Sequence, residues 1–221
     1  MTDVAAVIFD LDGVLIDSET IWDDARRSLV EEQGGTWLAP ATRDMMGMSS
    51  REWSVYVHER LGVDVEPEEI SARVADAVAQ RYHDQLPLLP GARDAVLLLA
   101  SAWPLGLASS SNRTIIELFL DASGLRSSFA VTVSSEEVTR GKPAPDVYLA
   151  AAAGLGAEPA RCVAIEDSTN GLAAAEAARM TVIAVPNRHF PPSADALSRA
   201  VLVVASLADL TEEQIRRSAT P

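Results

Sequence analysis

From residue 88 onward, short apolar runs alternate with helix-like segments, and this alternation limits the possible folds more than any other feature. The apolar runs have the length and composition of buried strands and occupy residues 105–108, 129–133, 161–165, 181–185 and 200–204. Helix-like segments precede or separate them at residues 91–102, 113–122, 145–153 and 169–178. Strands that are apolar on both faces and joined by helices form a parallel sheet covered by helices on both sides. The sequence therefore predicts an α/β protein with a doubly wound parallel sheet.

The first part of the chain differs, because one strand-like run is followed only by helical patterns. The apolar run covers residues 7–9. Helical patterns follow at residues 19–32, 41–46, 50–61 and 67–85. Since no convincing strand lies between residues 18 and 85, we predict that this segment is a helical insert in the sheet-forming domain.

Polar side chains directly follow several of the predicted strands. These side chains are Asp10, Asp12, Ser109, Glu166 and Asp167. Because ligands bind beyond the carboxyl ends of parallel strands, we expect these residues to meet in space. Carboxylates at such a place act as nucleophiles, transfer protons or bind hard cations. The same residue types also form ordinary turns and helix caps, so the pattern alone leaves both interpretations open.

Charge and composition exclude some classes of function. The chain has 221 residues, with 18 basic and 32 acidic side chains and a net charge of −14, which disfavours nucleic-acid binding. No apolar stretch approaches the ~20 residues that span a bilayer, so no membrane role is expected. A single cysteine, Cys162, and no basic leader before an apolar segment indicate a cytoplasmic protein. Lys142 is the only lysine among the 18 basic residues, which suggests a site that needs a compact point charge.

Four motifs in a fixed order carry a resemblance to a known family. They are residues 10–19 (DLDGVLIDSE), Ser109, residues 141–146 (GKPAPD) and residues 166–168 (EDS). With these motifs the chain resembles the haloacid dehalogenase superfamily, in particular its phosphatase and β-phosphoglucomutase-like branch, over nearly its whole length. The resemblance implies a Rossmann-like α/β core formed by residues 1–17 plus 86–221. It also implies that residues 18–85 form an α-helical cap domain over the site.

The resemblance implies roles for the four carboxylates. Asp10 would attack phosphorus and carry an aspartyl-phosphate intermediate. Asp12 would protonate the leaving oxygen and later take a proton from the attacking water. Mg²⁺ would be bound by the Asp10 carboxylate, the backbone carbonyl of Asp12 and Asp167, with Glu166 bound directly or through water.

The resemblance also implies a phosphate-binding set and a set of substrate contacts in the cap. Ser109, the backbone amides of Ser110 and Ser111, and Lys142 would hold the phosphoryl oxygens. The cap residues expected to contact the substrate are Trp22, Gly47, Ser49 and Arg51. An exposed position for Arg51 is an equally open interpretation. Many sugar-phosphate relatives carry histidine at the position of Trp22, and an indole has no acid/base function.

These observations lead to a prediction of function. We expect a Mg²⁺-dependent phosphatase that hydrolyses a small phosphorylated metabolite, a sugar or polyol phosphate, through an aspartyl-phosphate. The alternative is a β-phosphoglucomutase-type hexose-phosphate mutase. A less favoured hypothesis is a catalytically silent scaffold of this family that binds a partner. The expected partner is a small phosphate ester, with no nucleic acid and no membrane, and the expected state is a monomer.

Overall fold

The computed structural model describes residues 3–218, and a six-stranded sheet forms its centre. The strands are β1 (Ala6–Phe9), β2 (Leu105–Ser109), β3 (Phe129–Ser134), β4 (Cys162–Glu166), β5 (Thr181–Ala184) and β6 (Leu202–Val203). Every neighbouring pair is parallel, and the order across the sheet is β3-β2-β1-β4-β5-β6. This is the strand order of a doubly wound sheet, so the predicted fold class is confirmed.

Ten α-helices accompany the sheet in the described part of the chain. They are α1 (Glu19–Glu32), α2 (Ala41–Met45), α3 (Ser50–Leu61), α4 (Pro67–Asp84), α5 (Ala92–Ala100), α6 (Arg113–Ser123), α7 (Asp146–Gly154), α8 (Thr169–Ala177), α9 (Ala194–Leu197) and α10 (Glu212–Ser218). The predicted helices are confirmed within a few residues at their ends, whereas the short α9 and α10 were not predicted. None of the helices between residues 3 and 218 is both long enough and apolar enough to cross a bilayer.

The sheet is buried on both faces, which explains its continuous apolar strands. In β1, Val7 and Phe9 belong to one apolar cluster, and Ala6 and Ile8 belong to another on the opposite side. Helices α7 and α8 contribute to the second cluster, and α5 and α6 contribute to the first. Because successive side chains of a strand point to opposite faces, each strand is held by both layers of helices.

The chain reverses its direction of winding at β1, and this reversal locates the crevice. β2 and β3 lie on one side of β1, while β4, β5 and β6 lie on the other. A ligand crevice forms beyond the carboxyl ends of the strands at such a switch point. Helices α1 to α4 follow β1 in sequence, so the segment between residues 18 and 85 is helical throughout its regular structure. Its role as a separate cap domain, with the boundaries given above, stays a prediction.

Candidate active site

A buried lysine joins two carboxylates that follow different strands. The Lys142 ammonium donates to Asp10 Oδ1 at 2.6 Å and to Glu166 Oε1 at 2.6 Å. Lys142 is 2% exposed, Asp10 is 5% exposed and Glu166 is fully buried. Asp10 follows β1 directly and Glu166 ends β4, so the parallel pairing of these two strands brings the carboxylates together. The single lysine of the chain therefore lies between both acids.

Glu166 is surrounded by hydrogen-bond donors. Its Oε1 accepts from Lys142 and from the Tyr148 hydroxyl at 2.9 Å. Its Oε2 accepts from the backbone N–H groups of Asp167 and Ser168 at 2.9 and 3.1 Å, and from the Ser168 hydroxyl at 3.2 Å. A side chain at Gly171 would place a Cβ 1.8 Å from Oε1, so this position requires glycine. Both oxygens of Glu166 are thus occupied within the protein.

Asp167 is buried with one oxygen unused. Its Oδ2 accepts from Asn187 Nδ2 at 3.0 Å, whereas its buried Oδ1 has no hydrogen-bond partner among residues 3–218. Gly13 has a φ of +81°, and a Cβ there would lie 1.9 Å from Asp167 Oδ2. Gly13 therefore allows the backbone of the loop after β1 to approach the Asp167 carboxylate closely.

The same three carboxylates form a potential metal site. Oxygen atoms of Asp10, Glu166 and Asp167 all lie within 4.8 Å of one another. Hard divalent cations such as Mg²⁺ bind carboxylate oxygens, and a buried carboxylate oxygen without a partner is costly. The donor types and the unpartnered Oδ1 of Asp167 fit such an ion.

Burial and charge perturb the protonation of this cluster. Burial raises the pKa of Asp10, Lys142 opposes this rise, and Glu166 and Asp12 add to it. Burial also raises the pKa of Asp167, and the negative charges of Glu166 and Asp10 raise it further. Burial alone lowers the pKa of Lys142, but Asp10 and Glu166 outweigh it and hold the pKa above its ordinary value. One ammonium is therefore shared among several acids, and an added cation would relieve their repulsion.

Asp12 lies beside this cluster and accepts four hydrogen bonds. Its Oδ1 accepts from the Ser18 hydroxyl at 2.6 Å and from the Trp22 indole N–H at 3.1 Å. Its Oδ2 accepts from the Ser111 hydroxyl at 2.6 Å and from the Ser109 hydroxyl at 3.4 Å. Two of these donors come from the start of the helical insert, and the other two come from the last residue of β2 and the loop after it, so Asp12 connects both regions.

The serine-rich loop after β2 is held in place by its own side chains. The Ser109 hydroxyl accepts from the Ser111 backbone N–H at 2.9 Å, and Ser109 is fully buried. Ser110 donates through its hydroxyl to the Gly47 carbonyl at 3.0 Å. Ser110, Ser111 and Lys142 all line one pocket together with Asp10 and Asp12. The structure thus places Ser110, Ser111 and Lys142 around one small space, whereas the buried Ser109 does not line it. Phosphate binding by these residues stays a prediction.

Two of the predicted cap residues line this pocket and two do not. Trp22 and Gly47 are among its lining residues. Ser49 caps α3, where its hydroxyl accepts from the Glu52 N–H and the Glu52 carboxylate accepts from the Ser49 N–H in return. Arg51 is exposed in the first turn of α3 and lies outside the pocket, so the exposed alternative describes its position.

Glu19 and Arg26 line the pocket. Arg26 was not singled out from the sequence, and Glu19 was quoted only as the last residue of the first motif, without a role. Both are on α1, on the face that carries the buried Trp22 and Leu29. The spacing contained a signal, because residues 22, 26 and 29 form one helical stripe. An arginine that faces solvent would not be expected in the middle of that apolar stripe, so the position of Arg26 indicated burial.

Polar contacts hold the loop between α2 and α3, and the start of α3, against the core. The Asn170 amide donates to the Met46 carbonyl at 2.8 Å, beside the Ser110 contact with Gly47. The Asn112 side chain accepts from the Ser50 hydroxyl at 2.8 Å and makes no capping bond to α6. These contacts join the insert to the core beside the pocket.

Comparison with known proteins shows what this chain is similar to. A model of the haloacid dehalogenase-like hydrolase family matches residues 4–179. Hexitol phosphatase B of Escherichia coli K12 is 37% identical over 212 residues, which cover 95% of this chain and 94% of that protein. A probable pseudouridine-5'-phosphatase of Drosophila melanogaster is 33% identical, with 96% of this chain and 93% of that protein covered.

A solved structure has the same overall arrangement. CbbY from Rhodobacter sphaeroides, in complex with phosphate, superposes with a TM-score of 0.80 at 25% identity and covers 94% of this chain and 96% of its own. The family match spans well over half of the described residues and includes Asp10, Lys142 and Asp167. The chain therefore belongs to the haloacid dehalogenase-like hydrolases, and it is a phosphoric monoester hydrolase.

Proposed function

We propose that this hydrolase removes phosphate from a small sugar or polyol phosphate, in a Mg²⁺-dependent reaction that passes through an aspartyl-phosphate on Asp10. The observation that carries the proposal is the convergence of Asp10, Lys142 and the unpartnered Oδ1 of Asp167 at one pocket. The similarity to a hexitol phosphatase supports the substrate class.

In the first step, a carboxylate oxygen of Asp10 forms a bond to phosphorus and the bond from phosphorus to the ester oxygen breaks. The proton of the Asp12 carboxyl group goes to the departing oxygen, so the alcohol leaves uncharged. In the second step, water attacks the phosphorus, Asp12 takes its proton, and inorganic phosphate leaves Asp10. The serine hydroxyls around Asp12 hold its carboxyl group in one orientation for both transfers.

The positive charge of Lys142 and the loop after β2 stabilise the phosphoryl oxygens. Phosphoryl transfer depends mainly on positioning and on charge stabilisation, and an ammonium held by two buried carboxylates cannot rotate away from its place. The Ser109 hydroxyl fixes the Ser111 amide, so the loop is ordered before the substrate arrives. Removal of either feature is expected to slow the chemical step.

Mg²⁺ would be held by the carboxylates of Asp10 and Asp167 and by the backbone carbonyl of Asp12. Since both oxygens of Glu166 already accept hydrogen bonds, we infer that Glu166 contributes through water. When bound, the ion supplies positive charge that offsets the repulsion between the carboxylates and the phosphate. The free Oδ1 of Asp167 is the atom that best matches this role.

Trp22 favours a phosphatase over a mutase. Its indole N–H donates to Asp12, and an indole neither accepts nor releases a proton at neutral pH. A mutase has to deliver its phosphoryl group to a second hydroxyl of a bound sugar, which calls for further proton transfer at that hydroxyl.

The monomeric state and the cytoplasmic location stay predictions.

Phosphate release from purified protein tests the proposal. We expect hydrolysis of hexitol and hexose 6-phosphates with Mg²⁺, faster than hydrolysis of phosphoglycolate, and loss of activity with EDTA that Mg²⁺ restores. Turnover that EDTA leaves unchanged would rule out the metal. Formation of glucose 6-phosphate from β-glucose 1-phosphate with little free phosphate would identify a mutase instead.

A further inference from the structure

Arg26 is a buried cation that lines the catalytic pocket without a polar partner. It is 5% exposed, and its buried Nε has no hydrogen-bond partner. Within residues 3–218, its guanidinium makes no hydrogen bond, and no carboxylate oxygen lies within 4.0 Å of it. Burial lowers the pKa of Arg26 from its ordinary value, against the attraction of nearby acids. A buried guanidinium without a hydrogen-bond or ion-pair partner is destabilising, so its polar partner is expected to come from the ligand.

Glu19 lies on the same helix, lines the same pocket and accepts no hydrogen bond within the described chain. Burial raises the pKa of Glu19 to about 7, Asp12 adds to this rise, and Arg26 opposes it. Since α1 turns once in about 3.6 residues, positions 19, 22 and 26 share one face. An unused acceptor and an unused donor therefore face the pocket from one helix.

Two indoles flank this pair. The rings of Trp22 and Trp53 meet edge to face, with centroids 6.1 Å apart, and the Arg26 guanidinium carbon lies 5.7 Å from the Trp53 ring centroid. Both rings line the pocket. Indole surfaces pack against the C–H groups of a carbon chain, while a guanidinium and a carboxyl group bind its hydroxyls. The four side chains together suit a hydroxylated carbon chain.

The local charge favours an uncharged substrate end over an anionic one. Glu19, Asp23 and Asp12 all attract the guanidinium of Arg26. Lys142 is already paired with Asp10 and Glu166. A carboxylate or second phosphate near Arg26 would therefore meet several negative charges, whereas hydroxyls accept from Arg26 and donate to Glu19 without that repulsion.

We propose that Arg26 and Glu19 are specificity-determining residues, which bind hydroxyl groups at the end of the substrate remote from its phosphate. They select an uncharged polyol or sugar chain over an apolar chain and over one that ends in an anion. This inference rests on the proposed phosphatase function, because it concerns the same pocket.

Three phosphate esters of equal chain length test the inference. They are sorbitol 6-phosphate, hexyl phosphate, which has no hydroxyls, and 6-phosphogluconate, which ends in a carboxylate. The variants are Arg26→Met and Glu19→Gln, with Arg43→Met as the control, since Arg43 is exposed on α2 and does not line the pocket. The quantities measured are kcat/KM for each ester and the melting temperature of each variant.

We expect Arg26→Met and Glu19→Gln each to lower kcat/KM for sorbitol 6-phosphate by about 10- to 100-fold, while the values for hexyl phosphate change little. Arg26→Met is expected to keep or raise the melting temperature, because it removes an unpaired buried charge. The control is expected to match the wild type in all three reactions.

Equal losses for sorbitol 6-phosphate and hexyl phosphate, together with a lower melting temperature, would assign Arg26 a structural role and overturn the inference. A loss confined to 6-phosphogluconate would show that Arg26 binds an anion, which also overturns it. If the wild type hydrolyses sorbitol 6-phosphate and both variants equal it, the inference fails while the proposed function stands. A wild type that hydrolyses none of the three esters overturns both.

Discussion

The two ends of the pocket differ in how their charged groups are satisfied. At the core end, Lys142 pairs with Asp10 and Glu166, and every oxygen of Glu166 is hydrogen-bonded. At the end formed by the helical insert, Arg26 and Glu19 line the same pocket without hydrogen bonds in the described chain. Apart from Asp167 Oδ1, which has no hydrogen-bond partner in the described chain and suits a metal ion, the charged groups of the core end are paired before the substrate arrives. The other end has an unused donor and an unused acceptor.

This difference in pairing between the two ends corresponds to two tasks, catalysis and substrate recognition. Catalysis gains from groups that are already in position, because no reorganisation is needed during the reaction. Recognition gains from groups whose hydrogen bonds are completed only by the right substrate, because a wrong substrate leaves them buried and unpaired. The comparison therefore predicts that substitutions at the core end stop the chemistry for every ester, and that substitutions at the other end change selectivity.

The largest effect is expected from Asp10→Asn. An amide cannot form the aspartyl-phosphate, so we expect kcat to fall by at least about 1,000-fold for every ester. Phosphate release under saturating substrate measures this, with circular dichroism as the check of folding. A variant that keeps most of its activity would show that Asp10 is not the nucleophile, and the core end would lose its assigned task.

Lys142→Met is expected to affect both activity and stability. The substitution leaves Asp10 and Glu166 buried without their shared cation, which typically costs about 3–5 kcal/mol of unfolding free energy. Urea denaturation in the presence of EDTA measures this loss, and activity is expected to fall by about 100-fold. Arg43→Met is the matched control, since Arg43 is exposed. Equal stability of the two variants would contradict the description of the core end as a pre-paired cluster.

The smallest effect is expected from Glu19→Gln and depends on pH. The pKa of Glu19 is raised from 4.5 to about 7 in the folded protein. Glu19 therefore keeps its proton to a higher pH in the folded state than in the unfolded state. The wild type therefore loses stability as the pH rises through this window, and a glutamine does not. At pH 8 we expect the variant to be more stable by about 1–3 kcal/mol, with the difference vanishing near pH 4. Urea denaturation across this pH range measures it, and a constant difference would refute the explanation.

Much of the site was predictable because it follows from strand ends. Asp10, Glu166 and Asp167 come directly after apolar runs, and parallel strands bring their carboxyl ends to one edge. Lys142 was predictable from its being the sole lysine and from the family resemblance. Arg26 was missed because it looks like an ordinary charged residue of an amphipathic helix, and Glu19 was quoted only as the end of the first motif, without a role. Only their position relative to Trp22 and the buried stripe distinguishes them from exposed neighbours.

By itself, the sequence determined the sheet, its parallel direction and the identity of the carboxylates at its edge, because these depend on local patterns of apolar and polar residues. Only the tertiary structure decided that Lys142 lies between Asp10 and Glu166, although Lys142 and Asp10 are 132 positions apart. It also decided that Arg26 is buried in the pocket while Arg51 is exposed. Which face of a helix meets the core depends on packing against distant segments, and no local pattern contains that information.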